Sequence, residues 1–297
     1  MDAYLVTIGI AILTYLLLSA GLSLQYSFTG LINFGHVGFL AIGAYTSALL
    51  ALKGVPIGIS MAVAVVLAAA CAWPLGMIAL RLRGDYLAIV TLGFSESVRM
   101  VLQKEEWLTR GVHGVPGIPR LYGEVAGTSA DFWILITLIV VNAAVLALSL
   151  GLIRSPFGRL IGAIRDNEVA VQALGKDPAR FKTRSLMIGA GLAGLAGAFQ
   201  AHYLTFISPE QFVPLITFYV WIAIIVGGVG RLSGVVLGTV VLLGFLEGSR
   251  FLRDFVVGVS EVQLASVRFW IIGMCLICVM LYRPQGLFGA KSAGKER

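Results

Sequence analysis

The sequence predicts an all-α, polytopic integral membrane protein with about nine membrane-crossing helices, in a range of eight to ten. Two observations of composition carry this. Hydrophobic residues make up 58% of the chain and charged residues 12%, and mean hydropathy is +0.93. Long apolar runs recur from one end to the other, which overrides the two soluble domains that length alone would suggest. A third observation is that most Lys and Arg fall in alternate loops, which is how membrane topology is written. Residues 1–297 are therefore read as a single transmembrane domain. The net charge of +7 is a topology signal and not one for nucleic acid.

Residues 3–24 form the first span: no basic residue precedes them, and the apolar core exceeds that of a signal peptide. Residues 29–50 follow, interrupted by Gly30, Gly35, Gly38 and Gly43, with Asn33 and His36 near the start. A polar pair in a glycine-broken membrane segment is a candidate lining of a translocation path. The plainer reading has His36 bonding a neighbouring helix and the glycines allowing close packing. Residues 57–80 end in the basic stop Arg81-Leu82-Arg83. Residues 86–102 carry Glu96 and Arg99 three apart, placed to neutralise each other on one helical face. A turn-rich polar loop near 103–131 leads to the span 132–153, where Asn142 is the main polar interruption.

The stretch 154–184 holds seven Lys/Arg against three Asp/Glu, more charge than any other region. At roughly 3 kcal/mol for each Arg or Lys in hydrocarbon, it must lie in water against the membrane surface. Leu160, Ile164, Val171 and Leu174 fall near one face of a short helix, broken before by Pro156 and Gly158 and stopped by Gly175, with Pro178 beyond.

In residues 185–206, Gly189, Ala193, Gly197 and Ala201 recur every fourth residue, a face for tight helix contact, with Gln200 and His202 near the far end. Residues 212–229 span again. Gly230, Gly234 and Gly238 make a second such row, and the segment 232–246 is short for a bilayer about 30 Å thick. A polar loop near 247–267 precedes the last span, 268–282, and a basic tail. The three cysteines, Cys71, Cys275 and Cys278, lie in apolar runs and read as small core residues.

An outside N-terminus and an inside C-terminus put 14 of the 22 Lys/Arg on the inner side, including Arg81, Arg83, Arg231, Arg283 and the tail residues Lys291, Lys295 and Arg297. If the second or eighth segment failed to cross, that bias would be lost. Loop 154–184 is then cytoplasmic, and loops 103–131 and 247–267 are periplasmic. The glycine-rich second and eighth segments belong in the bundle interior, where irregular backbone is tolerated.

Catalytic motifs are missing from the sequence. Gly175-Lys176-Asp177 lacks the Ser/Thr and the upstream glycine of a phosphate loop, and no metal, nucleophile or paired-acid motif appears in a plausible setting. Intramembrane acids are few, where an ion-coupled transporter usually has more. The chain reads as a conduit without its own engine, no enzyme and no cofactor, powered through loop 154–184. Two rivals are an ion-coupled secondary transporter and a membrane enzyme built on Asp166 and Glu168. Those two carboxylates, two apart on a helix, point in different directions.

The blocks GLINFGHVGFLAIGAYTSALL, LRLRGDYLAIVTLGFSESVRMVL, FGRLIGAIRDNEVAVQALG, GLAGAFQAHYLTFISPEQF, GGVGRLSGVVLGT and LYRPQGLFG cover nearly the whole chain. In sequence and order they resemble the branched-chain amino-acid ABC importer permeases of the LivM type. Related permeases serve urea and short-chain amides. The resemblance implies a multi-pass protein of the cell (inner) membrane working with a second, similar permease subunit, two cytoplasmic ATPases that hold ATP and Mg, and a periplasmic binding protein. It also implies a coupling helix in loop 154–184, here assigned to Arg165, Asp166, Glu168, Ala170, Val171, Leu174 and Gly175. Glu168, Ala170 and Gly175 match the acidic-Ala-then-Gly pattern of many importers loosely.

Overall fold

In the computed structural model, the described residues are 2–79, 84–123, 130–248, 261–282 and Gly286. Arg81, Arg83, Arg283, the basic tail and most of loop 247–267 lie outside them. The first apolar run forms α1 (Asp2–Ser23), which continues as a π-helical turn, Leu24–Phe28. Then come α2 (His36–Leu52), α3 (Ile57–Ala79), α4 (Gly84–Lys104) and the short α5 (Glu106–Thr109). After α6 (Ala130–Arg154), the polar loop folds as α7 (Pro156–Asp166) and α8 (Glu168–Ala173). The chain ends with α9 (Pro178–Leu204), α10 (Leu215–Gly227), α11 (Leu232–Gly248) and α12 (Glu261–Tyr282).

Among the described residues, four helical stretches are long and apolar enough to cross a bilayer: Tyr4–Phe28, Ile57–Met77, Ala130–Arg154 and Pro209–Gly227. His36–Leu52 and Leu232–Gly248 are shorter apolar helices.

Helix α9 is the hub, packed against α1, α2 and α3. Its small residues permit backbone-to-backbone contact. A Cβ on Gly43 of α2 would stand 2.2 Å from the Gly194 carbonyl, and one on Gly197 would stand 2.0 Å from that of Leu40. On the α1 side, a Cβ on Gly21 would meet the Gly189 carbonyl at 2.7 Å. Ala64 and Ala68 of α3 press on Gly194 from a third direction. Ala193 is fully buried in the same helix. Gly234 and Gly238 do the same for α11 against α10, where a Cβ on Gly238 would lie 2.0 Å from the Ala223 carbonyl.

Several expectations are corrected. Gly230 is a turn residue and not a packing one: its φ is +93°, and among the described residues nothing approaches a Cβ built there. The second segment is not a continuous span from residue 29. Residues 29–35 are non-helical, because Gly30 takes a left-handed φ of +75° and the Gly35 backbone lies against the Thr91 carbonyl. The loop expected at 247–267 is shorter, since Glu247 and Gly248 close α11 and α12 already begins at Glu261. Cys275 and Cys278 are exposed on α12 and are not core residues. The all-α class holds except for one antiparallel pair of two-residue strands, β1 (Val115–Pro116) and β2 (Phe206–Ile207).

Candidate functional site

Two features set this bundle apart from simple helix packing: the break between α1 and α2, and the charged loop beneath it. At the break, the His36 ring meets the Leu18 carbonyl through Nε2 at 3.2 Å. Leu18 lies ten residues before Phe28, so the chain of residues 29–35 climbs back into the bundle by about 15 Å. Non-helical backbone at that depth needs every polar group met from within the protein. Two helices meet it with three bonds. Thr91 of α4 accepts from the Phe34 N–H at 3.0 Å, and Thr217 of α10 accepts from Val37 N–H at 3.0 Å. Trp221 of α10 donates its indole N–H to the Asn33 carbonyl at 3.1 Å.

Asn33 closes the break from inside. Its Oδ1 accepts from Gly35 N–H at 2.9 Å, and its Nδ2 donates to Gln25 Oε1 at 2.8 Å. Gln25 in turn donates to the Leu186 carbonyl of α9 at 3.1 Å. Thr29 and Ser185 share a 2.7 Å hydroxyl bond just below. Gln25, Asn33 and His36 are all fully buried. Phe34 is sandwiched by Phe218 and Trp221, each with a ring centroid 5.2 Å away.

The other three expected path residues lie elsewhere. Asn142 donates to the Leu13 carbonyl at 3.1 Å and so fastens α6 to α1. His202 joins Ser47 of α2, at 2.8 Å, to the Pro119 carbonyl in the segment between α5 and α6, also at 2.8 Å. Gln200 is half-buried on α9. The five candidates do not converge; only Asn33 and His36 share a place.

Loop 154–184 carries two helices where one was expected, because Asn167 adopts an extended φ of −156° and caps α8 by accepting from Ala170 N–H at 3.0 Å. Helix α7 buries Ile161 and Ile164, with Leu160 half-buried. Glu168 is bound to Lys182 at 2.6 Å. Gly175 takes φ +75°, and Asp177 caps α9. The break at Asn167 parts Leu160 and Ile164 on α7 from Val171 on α8, and α8 ends at Ala173: Val171 is 4% exposed and packs inward, whereas Leu174, its C-cap, is 80% and Val169 73% exposed. Arg165, at the end of α7, reaches upward instead, donating from Nη1 to the Ser27 carbonyl at 2.6 Å.

The family model for the permease component of the branched-chain amino-acid transport system matches residues 4–280. The chain belongs to this permease family. The permease is 35% identical to the high-affinity branched-chain amino-acid transport system permease protein LivM of Escherichia coli, over 95% of this chain and 69% of that one. It is 24% identical to a probable LivM of Methanocaldococcus jannaschii, over 93% and 91% of the two chains. It is also 27% identical to the E. coli permease protein LivH, over 95% and 93%. No solved structure matches the permease.

The partners of the break were not visible in the permease sequence. Gln25, Thr91, Thr217 and Trp221 are scattered hydrogen-bonding residues in largely apolar segments, a weak signal in itself. Among the described residues no group of three or more His, Cys, Asp or Glu could hold a metal ion.

Proposed function

We propose that this chain is a transmembrane subunit of an ATP-binding-cassette importer in the cell (inner) membrane, carrying branched-chain or closely related amino acids delivered by a periplasmic binding protein. It pairs with a second, homologous permease subunit. It takes its energy from two cytoplasmic ATPases, which hold the ATP and Mg, and has no ATPase site of its own. The chain crosses about nine times, N-terminus outside and C-terminus inside, with α2 and α11 as the short interior crossings. The path opens at the break around Asn33 and His36, whose backbone groups are those best placed to meet a zwitterion's charges.

The observation that carries this reading is the surface of α8. In a chain that matches the permease family over residues 4–280, a loop rich in charge presents Val169 and Leu174 outward while Ile161, Ile164 and Val171 point in. Such a pair in water has no role in folding this chain, and it suits a groove on an ATPase. Burying a Leu fully in a partner contributes about 1.5–3 kcal/mol, and a desolvated carboxylate in its place costs several kcal/mol. The test is Leu174→Asp, assayed by co-purification of the ATPase subunits and by leucine, isoleucine and valine uptake into proteoliposomes. We expect the variant to insert normally and to lose both. Uptake at the wild-type rate, at equal expression, would reduce α8 to a solvated surface.

A further inference from the structure

Arg165 is exposed like much of the charged loop, yet its guanidinium also reaches the end of α1. Its Nη1 donates to the Ser27 carbonyl at 2.6 Å, across 138 residues of chain, while Nε and Nη2 hold Asp166 Oδ1 at 3.2 Å each. Ser27 lies in the π-helical turn that ends α1, and π turns interrupt helices mostly where function needs it. The last carbonyls of that turn would be orphaned without partners. Leu24 is met by the Thr29 and Ser185 hydroxyls, Gln25 by Leu31 N–H and Tyr26 by Gly30 N–H. Ser27 is met by Arg165, a cation at a helix C-terminus and so also favoured by the helix dipole.

The aliphatic stem of the same side chain lies over Gly30, where a Cβ would stand 3.1 Å from Arg165 Cγ. Gly30 opens the break, and three residues on Asn33 is locked to Gln25, the residue two before Ser27. One side chain thus touches both ends of the π turn's exit. Its own helix, α7, leads through Asn167 directly into the exposed surface of α8.

We infer that Arg165 is the residue that transmits movement of the docking loop to the intramembrane break: a positioning residue that couples α7–α8 to the end of α1 and does not itself touch the ATPase. This rests on the docking reading above. When α8 is displaced by its partner, α7 carries Arg165 with it, and the guanidinium pulls on the Ser27 carbonyl and uncovers or covers Gly30. The first bonds to feel that load are Gly30 N–H to Tyr26 and Leu31 N–H to Gln25, beside the Asn33–Gln25 lock.

The experiment uses the complete importer in proteoliposomes with Arg165→Ala and Arg165→Lys. We expect the ATPase subunits to remain bound to both variants. Substrate moved per ATP hydrolysed should fall at least tenfold in Arg165→Ala and return to within threefold of wild type in Arg165→Lys, whose ammonium also reaches the carbonyl. Hydrogen exchange over residues 24–35 should change on ATP addition in the wild type and stay unchanged in Arg165→Ala. Coupled transport within twofold of wild type in Arg165→Ala would overturn the inference. So would loss of the ATPase subunits from that variant, which would make Arg165 a docking contact. If Leu174→Asp keeps its ATPases, the docking reading fails by a separate measurement, whatever Arg165 does.

Discussion

Replacing Asn33 with leucine removes both of its side-chain bonds and leaves two buried groups without partners. These are the Gly35 N–H, 2.9 Å from Asn33 Oδ1, and Gln25 Oε1, 2.8 Å from Nδ2. Both residues are fully buried, and no water lies within the hydrocarbon to take over the bonds. An unsatisfied buried group costs about 1–3 kcal/mol, so the variant should lose about 2–6 kcal/mol of stability. The double variant Gln25→Leu/Asn33→Leu should lose less than the sum of the two single changes, because one pair of partners disappears together. Unfolding of the purified protein in denaturant, followed by tryptophan fluorescence, suits this site, since the Trp221 indole is bonded to the Asn33 carbonyl. Substrate binding gives the second readout. Without the binding protein, the assembly should show no saturable binding of leucine, isoleucine or valine below the millimolar range. An Asn33→Leu variant within about 0.5 kcal/mol of wild type, the usual range for surface changes, would refute the argument that this amide locks the break. Micromolar binding that vanishes in that variant would make Asn33 a substrate ligand.

Other expectations follow from the same contacts. Gly43→Ala drives a methyl onto the Gly194 carbonyl, 2.2 Å away, and should cost at least the 1–3 kcal/mol typical of overpacking, roughly, in an unfolding titration. Gly93→Ala, where among the described residues nothing lies within 4 Å, should instead leave stability unchanged or raise it by up to about 1 kcal/mol. His202→Ala cuts the bonds to Ser47 and the Pro119 carbonyl, and hydrogen exchange of residues 111–123 should quicken while the membrane helices keep their protection. Lys104→Cys and Lys176→Cys, in a background cleared of Cys71, Cys275 and Cys278, should label from opposite sides of the membrane; labelling of both from the periplasm would remove the nine-crossing topology.

Hydropathy and small-residue spacing made most of the helices legible. The α9 row is the clearest case, because Gly189, Ala193 and Gly197 at four-residue spacing can only present one face, and that face meets α1 and α2. Gly230 shared the spacing of Gly234 and Gly238 but not their role, because spacing does not say where a helix starts and α11 begins at Leu232. The same limit governed loop 154–184. One extended residue, Asn167, parted Leu160 and Ile164 from Val171, and the end of α8 at Ala173 left its C-cap Leu174 exposed while Val171 packs inward. At the break, glycines and Asn33 marked the place. Its partners came from α4, α9 and α10, and such pairings are fixed by tertiary packing that a single sequence does not encode locally.

The bundle joins its helices by two kinds of contact, and they resist motion differently. Where α9 meets α1 and α2, backbone atoms of facing glycines are so close that even a methyl is excluded, and sliding one helix past another would drive carbonyls into Cα atoms. Those three helices therefore move as one body or not at all. Around the break the contacts are hydrogen bonds from Thr91, Thr217, Trp221 and Gln25, each to a separate group. Such bonds can be exchanged one at a time, provided that a substrate supplies the missing partner. A load arriving through α7 meets the exchangeable set first, because Arg165 is bonded to the π turn and not to the glycine-packed interface. The stiff glycine contacts confine the displacement, and the polar break gives it somewhere to go.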